Sequence, residues 1–199
     1  MTTRWLSVAR LPPEALAAAA IAGEPGAIDE LARAWLPHVY RWAHRLGGPG
    51  FDAEDAAHEV LVILCRRVRS IREPGALPSW LYGATRRVLA NHRRRAWWKR
   101  WLPGAVVPEQ VDDAYTPLDH AQASQAHRRV WHALSELSES HRDVLVLCDL
   151  EERSSSEAAE LLSIPLGTVK SRLRAARIAF RTAVETADAR ALRTAGALP

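Results

Sequence analysis

Five cations cluster near the end of the chain at positions that suit binding to a polyanion. They are Lys170, Arg172, Arg174, Arg177 and Arg181, and no acidic residue interrupts them between Pro165 and Arg181. Four apolar residues recur among them at intervals of four, three and four: Val169, Leu173, Ala176 and Phe180. This period predicts a helix with one apolar face, which leaves the cations on the other faces to contact nucleic-acid phosphates.

A shorter element just before this helix completes a helix-turn-helix pattern. Ser154 and Glu157 have the spacing of a capping box, which predicts that a short helix begins there. Residues 164–167 then interrupt the pattern with a proline and a glycine, and Thr168 is the predicted N-cap of the second helix. In this motif the second helix enters the major groove of DNA with its N-terminal residues nearest the bases. The alternative is a helical hairpin with a solvated basic face.

A second basic segment lies in the first half of the chain. Residues 86–100 hold seven cations and no acid, and Trp97, Trp98 and Trp101 stand at or just beyond the end of this segment. Cations hold phosphates and aromatic rings stack on bases, so this composition suits single-stranded DNA. The alternative for the tryptophans is packing against the residues that follow.

Charge and cysteine usage narrow the class of protein. The net charge of the 199 residues is only +4, but residues 105–126 carry four acids and no cation and so separate the two basic segments. Cys65 and Cys148 lie far apart and outside any C-x-x-C motif, which indicates free thiols in a reducing cytoplasm. No apolar run reaches membrane-spanning length, and the alanine-rich start indicates a helix and not an export signal.

Helical periodicity elsewhere predicts an all-α fold of two small domains joined by a flexible linker. The first domain is predicted over residues 17–96, with helices at about 27–46, 52–69 and 78–96. Its core face includes Ala53, Ala57, Val60, Leu64 and Val68, and either Trp80 or Leu81. Prolines, acids and the absence of any period make residues 97–125 the linker. The second, four-helix domain is predicted over residues 126–183, and its last helix is expected to fray from about Thr182 onward.

Three stretches carry a family resemblance. Residues 51–60, 79–95 and 134–180 resemble, in order and spacing, the characteristic segments of an RNA polymerase sigma factor of the sigma-70 family. The resemblance is to the extracytoplasmic-function (ECF) type, which keeps only regions 2 and 4. This chain departs from the usual pattern at His58, where glutamine is common, at Ser155, where an aromatic is common, and at Ser163, where glycine is common.

The resemblance implies a function and a set of contact residues. A sigma factor directs RNA polymerase core to promoters and helps to melt them, without enzymatic activity, metal or cofactor. Core polymerase would be contacted, at the coiled coil of its largest subunit, by Asp55, His58, Glu59, Arg66 and Arg67. The minus-ten element would be contacted by Trp80, Arg86, Arg87, Asn91, Arg93, Arg94, Arg95 and Trp98. The minus-thirty-five element would be contacted by Ser155, Thr168, Lys170, Ser171, Arg172, Arg174 and Arg177. Further partners implied are the polymerase flap, through region 4, and an anti-sigma factor. Membrane contact is not expected, and the protein would lie in the cytoplasm with the nucleoid.

Other classes of function remain as alternatives. One is a DNA-binding regulator that uses only the helix-turn-helix and acts without polymerase. Another is an enzyme with dispersed site residues, although no Ser/His/Asp set and no Walker-type glycine loop is recognisable. Asp55 and His58 copy the spacing of a carboxylate–histidine metal pair, but no second such pair occurs, so no metal site is predicted.

Overall fold

Helices supply all the regular structure in residues 14–48, 51–101 and 129–195, which are the residues that the computed structural model describes. No strand occurs within these ranges, and the prediction of an all-α fold is confirmed. The chain divides into two compact units, the first built mainly from the helices up to Trp101 and the second mainly from those that follow.

The first unit contains four α-helices. They are α1 (Glu14–Ala22), α2 (Ala27–Gly47), α3 (Ala53–Arg67) and α4 (Leu77–Trp101), with single 3-10 turns at Val68–Ser70 and Pro74–Ala76 between the last two. Asp52 caps α3, because its Oδ1 accepts a hydrogen bond of 2.8 Å from the Asp55 N–H. Pro37 lies within α2, which continues through it as one helix.

The core of this unit is aromatic at its centre. Trp35 and Trp42 of α2 are both buried, and the rings of Trp42 and Tyr82 of α4 lie nearly perpendicular with centroids 5.1 Å apart. The predicted inner face of α3 is confirmed in full, since Ala53, Ala57, Val60, Leu64 and Val68 are all buried. Burial of each large apolar side chain contributes about 1.5–3 kcal/mol, so these contacts fix how α3 and α4 pack against α2.

The end of α4 differs from the sequence-based expectation. The helix was expected to stop near Ala96, yet it runs to Trp101. The physical reason is that residues 96–101 contain no proline or glycine, and the first helix breakers are Pro103 and Gly104. The rest of the predicted linker lies outside the described residues, and the domain boundaries stay a prediction.

The second unit also contains four α-helices in its described part. They are α5, described over residues 129–136, α6 (Glu139–Leu145), α7 (Ser155–Leu162) and α8 (Leu166–Ala195), with a π-helical turn at Val146–Leu150 after α6. Ser138 caps α6, because its Oγ accepts a hydrogen bond of 3.3 Å from the His141 N–H. The expectation that the last helix frays from Thr182 is wrong in the structure, where α8 continues to Ala195.

The turn between α7 and α8 places a serine in a conformation that favours glycine. Ser163 has φ +53°, whereas Gly167 has no positive φ and lies inside α8. A left-handed backbone costs a residue with a Cβ about 1–2 kcal/mol. Ser163 therefore carries local strain at this turn.

Replacing Ser163 with glycine is expected to raise the free energy of unfolding by about 1 kcal/mol, because glycine adopts this φ without strain. Denaturant unfolding followed by circular dichroism measures the change. Gly167→Ala is the matched control: a Cβ there meets nothing within 4 Å, so the substitution should not destabilise the helix. A lower free energy of unfolding in Ser163→Gly would contradict the conclusion that Ser163 is strained.

Candidate nucleic-acid interface

The capping box predicted before the short helix is present in the structure. The Ser154 N–H and hydroxyl both donate to Glu157 Oε2 at 2.8 Å, and the Glu157 N–H donates back to Ser154 Oγ at 3.2 Å. The hydrogen bond from the Ser154 backbone, followed by that from its hydroxyl, lowers the pKa of the Glu157 carboxyl. The box fixes where α7 begins, and α7 precedes the helix that carries the C-terminal cations.

The start of α8 corrects the assignment of Thr168 as an N-cap. The helix begins at Leu166, and the Thr168 N–H donates to the Pro165 carbonyl at 2.9 Å. Pro165 precedes the helix, where its missing N–H has no consequence, and Gly167 is helical. Thr168 therefore lies in the first turn of α8, and its carbonyl accepts a hydrogen bond of 3.0 Å from Ser171 Oγ.

The cations of α8 do not all face the same way. Val169, Leu173 and Ala176 are buried, which confirms most of the predicted apolar face, and Phe180 is half-buried. Lys170, Ser171 and Arg174 are exposed on the opposite side, whereas Arg172, like Ser155 of α7, is half-buried. The exposed polar residues near the start of α8 are therefore Lys170, Ser171 and Arg174.

Arg177, one of the predicted DNA contacts, is paired within the chain. Its Nε and Nη2 donate to the two carboxylate oxygens of Asp149 at 3.0 and 2.6 Å. The hydrogen bond and the charge of this carboxylate raise the pKa of the Arg177 guanidinium. The bidentate pair occupies one edge of the guanidinium and leaves the Nη1 donors available to a phosphate, so the DNA contact of Arg177 stays a prediction.

One side of α4 presents the groups that suit single-stranded DNA. Leu81 is buried and Trp80 is only half-buried, so Leu81 is the core residue of the two candidates. Trp80, Arg87, Asn91 and Arg94 follow at intervals of seven, four and three residues, which places them on one stripe of the helix. Arg87 and Arg94 are exposed, and Arg94 Nη2 donates to Asn91 Oδ1 at 3.2 Å.

Other cations of α4 are placed differently. Arg93, another predicted DNA contact, is held within the chain, because its Nη2 donates to the carbonyl of Leu46 in the last turn of α2. Arg86 is half-buried. The side chains of Arg95 and Trp98 lie outside the described residues, although the helix backbone passes through both positions.

The outer face of α3 carries most of the predicted polymerase contacts. Asp55, His58 and Arg66 are exposed there, and Arg67 is exposed at the end of the helix, with acids in the first turn and cations in the last. Sequence reasoning missed Val62, which is 46% exposed on this face, because it lies within a continuous apolar run. Glu59 differs from the others, since its Oε2 accepts a hydrogen bond from His92 Nε2 of α4 at 2.9 Å.

An apolar groove in the second unit was also missed by sequence reasoning. It has a volume of about 580 Å³ and lies between α5, α8 and the segment from α6 into the π-helical turn. Its apolar lining consists of Val130, Leu134, Leu145, Leu150, Phe180 and Val184. No sequence signal could have found it, because the lining comes from segments far apart in the chain.

Neither a metal site nor a membrane-spanning helix is found in the described ranges. No group of three or more His, Cys, Asp or Glu side chains there is placed to share a metal ion, and Asp55 and His58 are both exposed. None of the helices described is long and apolar enough to cross a membrane.

Comparisons with known proteins match both units. Residues 31–99 match the family Sigma-70 region 2, and residues 127–180 match the family Sigma-70, region 4. The ECF RNA polymerase sigma factor SigE of Mycolicibacterium smegmatis is 32% identical over 157 residues, which are 77% of this chain and 60% of that protein. The chain thus spans less than two thirds of that relative's length. The RNA polymerase sigma-E factor of Streptomyces coelicolor is 31% identical over 173 residues, covering 85% of this chain and 94% of that protein.

A solved structure shows the same fold. It is that of the sigma factor RpoE of Bartonella quintana in complex with the anti-sigma factor NepR, with a TM-score of 0.55 and 22% identity. The match covers 79% of this chain and 96% of that one.

Proposed function

The chain belongs to the sigma-70 family of RNA polymerase sigma factors, and we propose that it directs core polymerase to promoters as an ECF member of that family. The observation that carries the proposal is that each matched region presents its own exposed cationic face, one on α4 and one at the start of α8. Two such faces suit two separate contacts with one promoter.

The mechanism assigns one task to each surface. The outer face of α3, with Asp55, His58 and Val62, docks on the coiled coil of the largest polymerase subunit. The first two turns of α8 then bind the minus-thirty-five element as duplex DNA. The stripe on α4 holds the opened minus-ten strand, with Arg87 and Arg94 on phosphates and Trp80 against a base. Trapping unstacked bases supplies the free energy of melting, so no ATP, metal, cofactor or catalytic residue is needed.

Two protein partners follow from the family. The apolar groove of the second unit offers a surface for the polymerase flap, and its polar rim includes Asp149 and Arg177. An anti-sigma factor is the second partner, as in the Bartonella quintana complex. Acting on promoters would place the protein in the cytoplasm with the nucleoid.

Run-off transcription with purified core polymerase and a set of candidate promoters tests the function. The proposal expects transcripts that depend on both this chain and a promoter sequence. If the chain binds duplex DNA but not core polymerase, a regulator that acts through the helix-turn-helix alone replaces the proposal.

Alanine substitutions on α8 should lower DNA affinity more at the exposed cations than at the half-buried Arg172. Arg174→Ala and Lys170→Ala are each expected to weaken binding to minus-thirty-five duplex DNA. The loss is about 1–3 kcal/mol where the side chain reads a base, and it then depends on sequence. A side chain that contacts only phosphate should instead give a loss that is uniform across sequences. Arg172→Ala is the matched comparison, and a larger loss there than at Arg174 would contradict the assigned face. Fluorescence anisotropy on a panel of duplexes measures all three.

A further inference from the structure

The C-terminal half of α4 is tied to the rest of its unit by two consecutive residues. His92 Nε2 lies 2.9 Å from Glu59 Oε2 of α3, and Arg93 Nη2 donates to the carbonyl of Leu46 in α2. Consecutive residues of a helix point about 100° apart, so the two anchors hold α4 from two directions. Together they restrict rotation of α4 about its own axis.

The His92 anchor is partly enclosed. Its side chain is 19% exposed and that of Glu59 is 35% exposed. The ring of Phe51, which precedes α3, meets the His92 imidazole nearly edge-on with centroids 5.4 Å apart. A hydrogen bond in such a half-buried, packed setting has a defined geometry, unlike an exposed ion pair that solvent can replace.

The two anchors lie between residues of the DNA-binding stripe. Asn91 precedes His92 and Arg94 follows Arg93, so fixing the anchors fixes the direction in which Asn91 and Arg94 project. Glu59 itself lies on α3 next to the exposed His58 of the polymerase-docking face. The link therefore joins the helix that docks on polymerase to the helix that holds the opened strand.

We propose that Glu59 and His92 are positioning residues that hold the α4 stripe in register with the docking face of α3. The inference rests on the proposed function. It gives Glu59 a role inside the chain in addition to the contact that the family resemblance implied, because Oε2 of its carboxylate accepts a hydrogen bond from His92.

The test separates binding to polymerase from binding to opened DNA. Full-length Glu59→Ala, His92→Ala and the double variant are assayed for affinity to core polymerase and, as holoenzyme, to a fork-junction minus-ten probe. Each single variant is expected to bind the probe about five- to tenfold more weakly, and His92→Ala should leave core affinity unchanged. The double variant should be no worse than either single one, because both remove the same interaction. Glu59→Gln keeps an acceptor oxygen and should retain near wild-type binding to the probe.

Other outcomes overturn the inference. A loss of core affinity in Glu59→Ala, with His92→Ala silent, would make Glu59 a polymerase contact and leave the proposed function intact. Additive losses on the probe would mean that the two residues act separately. If the wild type itself does not bind core polymerase, the proposed function fails and the inference fails with it. Circular dichroism verifies that each variant is folded. If an alanine variant is unfolded, the affinities of Glu59→Gln and His92→Gln for core polymerase and for the probe are compared instead, and they decide between the same outcomes.

Discussion

Replacing Arg142 with alanine is expected to unfold the C-terminal unit under conditions in which the wild type is folded. Arg142 is 9% exposed, and its guanidinium donates to the carbonyls of Leu134, Ser135 and Leu137 at 2.8, 3.1 and 3.1 Å. These carbonyls lie in or just beyond the last turn of α5, where a helix leaves acceptors without partners and its dipole favours a cation. One buried side chain thus caps α5 from the next helix.

The expected loss follows from the number and kind of bonds removed. Hydrogen bonds to a charged group contribute about 1.5–3 kcal/mol each, and unsatisfied buried carbonyls add a desolvation cost, so a loss of about 3–5 kcal/mol is expected. Total stabilities of about 5–15 kcal/mol leave little margin for such a loss. Thermal unfolding followed by circular dichroism, together with binding of minus-thirty-five duplex DNA, measures it.

Two variants serve as controls for Arg142→Ala. Arg142→Lys keeps the charge but not the planar fork, so an intermediate loss is expected. Arg174→Ala removes an exposed arginine that makes no hydrogen bond or ion pair in the described part of the chain, and stability should be unchanged. If the free energy of unfolding of Arg142→Ala is within about 0.5 kcal/mol of the wild-type value, the cap is not what holds α5 in place.

Helical periodicity predicted the cores well because burial is a property of a whole helix face. The inner face of α3 needed only the spacing of apolar residues, and every predicted member is buried. Helix ends were predicted less well, because they depend on single residues. Helix α4 continues to Trp101, two residues before the first helix breaker, Pro103. Helix α8 begins before Thr168, since Leu166 and Gly167 are already helical.

The candidate site shows where sequence reasoning reaches its limit. Residue type indicates a positive charge, but the partner of that charge is set by the fold. Arg93 and Arg94 are neighbours in the sequence, yet one caps α2 and the other is exposed on the stripe. Arg177 pairs with Asp149, which lies 28 residues away in the sequence, and no local pattern links the two. The groove and the Glu59–His92 link likewise exist only once separate helices are packed.

The stripe on α4 should show two separable contributions to binding of opened promoter DNA. Arg87→Ala combined with Arg94→Ala removes two phosphate contacts. Each contact on a single strand contributes about 0.7 to the slope of log affinity against log salt concentration, so this slope should become shallower by ~1.4. Trp80→Ala removes a stacking surface worth about 1–3 kcal/mol and should leave the salt slope unchanged. Binding of the holoenzyme to a fork-junction probe at several salt concentrations measures both.

The two effects must also appear in strand opening, because the proposed role of α4 is to stabilise the melted minus-ten element and not its duplex form. Permanganate reactivity of the minus-ten thymines should fall in the double variant of Arg87→Ala with Arg94→Ala and in Trp80→Ala, while closed complexes persist. Arg33→Ala, an exposed arginine on α2, is the matched control for the loss of one surface charge and should change neither readout. Equal weakening on duplex and forked probes would mean that α4 provides only a general electrostatic contact. Unchanged opening in Trp80→Ala, with the fold intact, would remove this ring from the site and leave strand capture to the side chains beyond Arg94, where the helix continues to Trp101.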